Sequence, residues 1–254
     1  MIGQVLMASY DAPLRVVDAA DFDGVNDVVK RNADLTGNAD GKKGIVSFWF
    51  RMDGSDGSRC TVCTTAPSSG SGRFFVFRDT TNRLVVLGYS TSGSTILQFQ
   101  TAATHVQSST WKHFLASWDL AVGASAVHAY INDVSDKFVD FATNADVDYT
   151  GTDFNVGAYG DLTAAFNGCL ADLYVNLSEY LDFSLVANRR KFISASGKPV
   201  HLGTDGSLPT GTAPLLYLHL DDGEAVASFA TNRGTGGNFS ITGTLDTASS
   251  SPSD

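Results

Sequence analysis

Glutamate is almost missing from this chain. It occurs only at Glu179 and Glu224, so aspartate supplies 25 of the 27 acidic residues. Aspartate favours turns and loop caps over helix interiors, and its dominance argues against a helical protein. Cysteine is limited to Cys60, Cys63 and Cys169, an odd number that closes no disulfide framework. Cys60 and Cys63 make a lone CxxC in a stretch rich in serine, threonine and glycine. Without a second pair a zinc site is not indicated, and the expectation is two loop thiols, bridged or free, with Cys169 buried as a small hydrophobe. Lysine and arginine total 17 and cluster only at Asn188-Arg189-Arg190-Lys191. With a formal net charge of -10, no basic face is available for the phosphates of a nucleic acid. No apolar run reaches the roughly 18 residues of a membrane span. The opening MIGQVLMASYDAP has no basic start, too short an apolar core and no small-residue cleavage site. No signal peptide is expected, which suits an intracellular protein or one assembled into a particle released on lysis.

What is present suffices for a large core. The 254 residues are 43% hydrophobic and 11% aromatic, with 25 glycines, the composition of one large all-β domain. The stretch Ser109 to Val134 reads as a central hairpin. Trp111, His113, Leu115 and Ser117 alternate with Lys112, Phe114, Ala116 and Trp118; a turn at Asp119 to Ala124 comes next, then Val127, Ala129 and Ile131 alternate with His128 and Tyr130. Trp111, Trp118 and Tyr130 are expected chiefly to pack. Ile45 to Met52 is the most strand-like octet, with Val46, Phe48 and Phe50 on one face and Ile45, Ser47 and Trp49 on the other.

Further strands are expected at 73–78, 83–89, 95–101, 136–141, 152–159 and 166–176, and at 215–220, with Phe239, Ile241 and Leu245 closing the sheet. Leu14 to Val17 and Phe22 to Val29 open the chain as a strand pair bent at Gly24 and Asn26, with Asp21, Asp23 and Asp27 capping turns. Residues 53–72 read as a long loop. In 166–176, Cys169, Ala171, Leu173 and Val175 should share one buried face. One helix is expected near 184–193, capped by Ser184, with Arg189, Arg190 and Lys191 as a solvated end. Residues 1–245 should form a single domain and 246–254 a flexible tail. Short strands with regular turns indicate a two-sheet antiparallel β-sandwich.

The ordered phrases FDGVNDVV, IVSFWFRM, STWKHFLASWD, VHAYINDV, FNVGAYGD and FNGCLADLYVN, over residues 20–176, resemble the concanavalin A-like lectin/glucanase jelly roll and its laminin G-like members. The continuation LDFSLVANRRKFISASGKPVHLGTDGSLPTG is similar to the segment C-terminal to such domains in virion proteins of tailed phages. The resemblance implies a concanavalin A-like jelly roll that hosts both sugar binders and glycoside hydrolases. The hydrolases carry Glu-x-Asp-x-Glu on one strand, and the isolated Glu179 and Glu224 cannot supply it. The five histidines are scattered and mark no catalytic constellation.

The expectation is therefore no enzyme but a virion structural or decoration protein that binds glycans, made in the host cytoplasm. The alternatives are a secreted or cell-surface carbohydrate-binding module and, third, a divergent glycosidase. Trp49, Tyr89 and Tyr159 are the candidate sugar-stacking residues. No cofactor is expected; lectin-like members often hold calcium, for which Asp146, Asp148 and Asp153 are the candidates. Expected partners are other virion proteins in capsid or tail, cell-surface glycans and copies of the chain itself.

Overall fold

The alternation of large apolar residues with covered ones along Lys43 to Met52 and Asn167 to Asn176 places two ten-residue strands at the centre of the molecule. The computed structural model describes residues 13–68 and 70–254; the leader-peptide reading of the first twelve residues lies outside them. The chain begins with β1 (Val17–Asp18), β2 (Ala20–Asp23) and β3 (Val28–Lys30), then β4 (Lys43–Met52), β5 (Cys60–Thr64), β6 (Phe74–Arg78), β7 (Leu84–Tyr89) and β8 (Thr95–Gln100). Next come β9 (Lys112–Asp119), β10 (Val127–Ile131), β11 (Val134–Ser135), β12 (Phe138–Ala142), β13 (Asn155–Val156) and β14 (Asn167–Asn176). A single-turn helix, α1 (Val186–Arg189), precedes β15 (Leu216–Leu218), β16 (Leu220–Asp221), β17 (Ser240–Thr242) and β18 (Asp246–Thr247).

Two eight-stranded antiparallel sheets face each other. The first runs β11-β10-β9-β4-β14-β2-β18, with β15 also paired to β14; the second runs β12-β8-β7-β6-β5-β13-β3-β17. One continuous core lies between them, in which Val46, Phe48, Phe50, Phe114 and Trp118 of the first sheet meet Val62, Phe74, Val76, Val86 and Phe99 of the second. This is the sandwich expected from the strand pattern.

Several details differ from the expectation, each for a physical reason. The hairpin of β9 and β10 is not central: only the two-residue β11 lies beyond it, and β4 and β14 hold the middle. The loop expected over 53–72 contains β5, whose five residues are all buried, because small and β-branched side chains suit a strand packed on both faces. Cys60 and Cys63 both lie on it as free, buried thiols. The strict alternation along β14 breaks at Asp172, a bulge residue with φ of 48°. Leu170, Leu173 and Val175 face the main core, whereas Cys169 and Ala171 face outward. The helix is shorter than expected and Leu185, not Ser184, occupies its N-cap. Arg189 and Arg190 are not a solvated end: both pair with Asp133, and Lys191 donates to the Pro209 carbonyl at 2.8 Å.

The last nine residues are held rather than frayed. β18 pairs with β2, and Ser250 accepts hydrogen bonds from Arg51 and from the Trp111 indole at 2.6 and 3.1 Å. The segment from Leu181 to Leu202 and this tail together cover the outer face of the first sheet. Phe183, Phe192, Val200 and Leu202 pack there on Ile45, Leu115, Tyr174 and Tyr217. On the outer face of the second sheet Phe75, Phe77, Val85 and Leu87 pack with Ala66 and Tyr159, with Tyr89 and Ala164 against them, while Phe138 and Phe141 of β12 stand about half exposed. Among the same residues no helix is long and apolar enough to cross a membrane.

Candidate functional site

The outward rows of the second sheet arise from its register. Phe75 pairs with Leu87, Leu87 with Gln98 and Gln98 with Phe141; alongside, Phe77 pairs with Val85, Val85 with Gln100 and Gln100 with Phe138. Directly opposed residues share a face, so these form two parallel rows across four strands. A bulge at Asp140 brings Phe138 and Phe141 to the same side, where both are about half exposed, at 55% and 49%. With neighbouring strands about 4.8 Å apart, the rows from β6 to β12 extend roughly 14 Å.

At the other end the rows open into a cleft of about 360 Å³ lined by Arg59, Gly70, Gly72, Arg73, Phe75, Leu87, Tyr89, Gly93 and Tyr159. Phe75 is its floor. The rings of Tyr89 and Tyr159 stand edge-on to Phe75, with centroids 6.2 and 6.1 Å away. The Arg59 guanidinium lies 3.6 Å from the Phe77 centroid and 5.7 Å from that of Tyr159. Burial pushes the Tyr159 hydroxyl above its ordinary pKa, while nearby Arg59 works against that shift. Gly72 can only be glycine, since its φ is +79° and a Cβ would sit 2.7 Å from Ala66. That close approach sets Gly72 against Ala66 at the cleft.

Tyr89 and Tyr159, chosen from sequence as sugar-stacking candidates, thus meet in one place. Trp49 is elsewhere. It faces outward from the first sheet, is 3% exposed, and lies tilted against His113 at 4.7 Å, packed with Ile193 and Ala248 of the C-terminal tail. Its edge lines a separate cleft of about 350 Å³ with Trp111, Lys198 and Ser250, on the opposite sheet from Tyr89 and Tyr159. Phe75, Arg59, Phe138 and Phe141 were missed. The alternation in RFFVFR and VDFA gives their faces, but only once the Asp140 bulge is known; Arg59 lies in what reads as a loop.

The three calcium candidates are not gathered. Asp153 accepts from the Asn32 amide at 2.9 Å and pairs with Lys30 at 3.6 Å. Asp148 accepts from Thr150 and lies 3.8 Å from Arg73, and Asp146 belongs to neither arrangement. Among the described residues, possible ligand groups converge only at Asp21, Asp53 and Cys169 and at His219, Asp221 and Glu224. Each already holds a cation: Arg51 bonds both oxygens of Asp53, and Arg15 bonds His219 and Asp221. Asp23 and Asp27 cap the turn before β3, Asp27 accepting from the Asp23 and Thr244 amides.

Neither glutamate approaches the cleft lining. Glu224 accepts from Arg233 at 2.7 Å and from the Asp221 amide, and Glu179 accepts from Thr212. His113, fully buried, bonds Ser47 at 2.9 Å, and burial lowers its pKa to about 3. His128 contacts the Tyr180 hydroxyl at 3.0 Å. Both are packing groups.

A sandwich of two antiparallel sheets with a single short helix is the architecture of the concanavalin A-like jelly roll. The chain belongs to the Concanavalin A-like lectin/glucanases superfamily, whose family model matches residues 23–177. No curated protein matches its sequence. Among solved structures it is similar to a "putative carbohydrate binding protein" from Bacteroides ovatus, with 14% identity and a TM-score of 0.62; the match covers 94% of this chain and 62% of that one. The chain therefore spans less than two thirds of that relative's length. It is also similar to a heptameric SAP-like pentraxin from Limulus polyphemus, with 13% identity, a TM-score of 0.49, and 68% and 82% of the two chains covered. A third likeness is to the receptor-binding domain of botulinum neurotoxin type G, with 11% identity, a TM-score of 0.43, and 71% and 46% covered.

Proposed function

We infer that the protein is a non-enzymatic glycan-binding module whose ligand lies along the outer face of the second sheet. The observation that carries this reading is the convergence of Tyr89, Tyr159 and Phe75 in one cleft, on the same face of the sheet as the exposed Phe138 and Phe141. Aromatic rings receive the apolar faces of sugars, and Gln98 and Gln100 between them supply donors and acceptors for hydroxyls. Glycoside hydrolysis needs two carboxyl groups flanking the scissile bond, and the cleft lining contains none.

The setting we infer is the surface of a tailed-phage particle. The likeness of the segment after β14 to virion proteins supports it, and the structure gives that segment a role as cover for the first sheet. A bacterial secreted or cell-surface carbohydrate-binding module is the second reading, supported by the likeness to the Bacteroides protein. Both share one site. Saturable binding on a glycan array, lost in Tyr89→Ala, tests the site; no binding to any glycan would sink it. Mass spectrometry of purified particles decides the setting, since a virion component co-purifies with capsid or tail proteins.

A further inference from the structure

Among the described residues, three arginines lie over aromatic rings. Arg51 is 5.7 Å from the Trp111 centroid, Arg189 is 4.6 Å from Tyr130, and Arg59 is 3.6 Å from Phe77. The first two are also neutralised. Arg51 pairs with Asp53 at 2.8 Å, and Arg189 pairs with Asp133. Arg59 differs: among the described residues it forms neither an ion pair nor a hydrogen bond, and its Nε is buried without a partner. In a chain with 25 aspartates, an arginine held in a cleft without a carboxylate is a local exception to the charge balance. Arg73 lines the same cleft, and its carboxylate neighbour, Asp148, stands off at 3.8 Å.

We propose that this cleft selects sugars carrying a negatively charged substituent, a carboxylate or a sulfate, with Arg59 as the group that receives it. The proposal rests on the glycan-binding reading and names its ligand class. The guanidinium offers five donors in a fixed plane, and a carboxylate or sulfate matches two of them at once. Stacking on Phe77 orients that plane and removes water from one side, which strengthens a charge-assisted bond on the other. Tyr89 and Phe75 then take the ring. The protein's net charge of -10 repels polyanions at a distance, so binding depends on this local match rather than on a general basic surface.

The test uses the full chain and matched ligands in titration calorimetry: oligogalacturonate, the same oligosaccharide after carboxyl reduction, and a sulfated galactan with its desulfated form. The charged member of at least one pair should bind about tenfold or more tighter than its neutral partner, the range of one charge-assisted contact. The arm that shows the difference identifies the substituent. Arg59→Gln should erase the preference, so that charged and neutral members of a pair bind alike, and Arg59→Lys should keep part of it. Tyr89→Ala should weaken charged and neutral ligands alike. Melting temperatures of both Arg59 variants separate loss of fold from loss of selectivity. Equal binding of charged and neutral sugars, or a preference that survives Arg59→Gln, overturns the proposal and leaves the glycan-binding reading standing. Failure of every sugar to bind overturns both.

Discussion

The Trp118 indole donates to the Tyr149 hydroxyl at 2.7 Å, and that hydroxyl donates in turn to the Lys43 carbonyl at 3.0 Å. Trp118 belongs to β9 of the first sheet and Tyr149 to the loop leading to β13 of the second, so this buried chain ties the two sheets together. Gly44 makes room for it, since a Cβ there would meet the indole at 2.1 Å. Tyr149→Phe keeps the ring and strands both the indole N–H and the carbonyl. It should cost about 1–3 kcal/mol, measured by chemical denaturation.

Trp49 and Tyr89 should separate stability from binding. Trp49 is enclosed, so Trp49→Ala should destabilise by about 3–5 kcal/mol while the folded variant binds glycan as before. Tyr89, at the mouth of the cleft, should behave the other way, with Tyr89→Ala losing affinity on the order of tenfold and little stability. Denaturation and array binding on the same two variants check this; a binding defect in Trp49→Ala alone would place the site on the first sheet.

Three buried histidines make the fold sensitive to mild acid. Burial holds His113 at a pKa of about 3, and His105 and His219 at about 4, all below the ordinary value. The unfolded chain binds these protons near pH 6.5 and the native one does not, so the stability they contribute is present above that pH and lost as pH falls toward 4. Melting temperature should drop across that window, and His113→Gln should flatten the drop.

Asp172 acts in the opposite direction. Burial raises its pKa to about 6 despite Arg15 at 3.8 Å, so the native state favours the protonated form. Its contribution is present below about pH 4 and lost as pH rises through 6. Asp172→Asn imitates the protonated acid and tolerates the left-handed backbone at φ 48°. The variant should melt higher than the parent above pH 6 and equally near pH 4.

Chelation should have no effect. Because Asp148 and Asp153 are turned to different partners and Asp146 joins neither, excess EDTA is expected to leave both melting temperature and glycan binding unchanged. A fall of several degrees that added calcium reverses would show that a metal binds.

The sequence by itself determined the class of the fold and the limits on its chemistry. Period-two alternation in IVSFWFRM and RLVVLGY is a local property, written by which side chains fall on one side of a strand, and it identified the sandwich strands. The two isolated glutamates ruled out the strand-borne acid pair of the hydrolases without any tertiary structure. Alternation names residues that share a face but not what covers that face, because cover comes from distant segments. Trp49 and Tyr89 look equivalent in the sequence; one lies under Ile193 and the C-terminal tail, the other opens on a cleft. Bulges at Asp172 and Asp140 shift the alternation by one residue, and each depends on the partner strand for its position. Only the folded chain brings Tyr159 and Arg59 to Tyr89 and leaves Arg59, among the described residues, without an ion-pair partner.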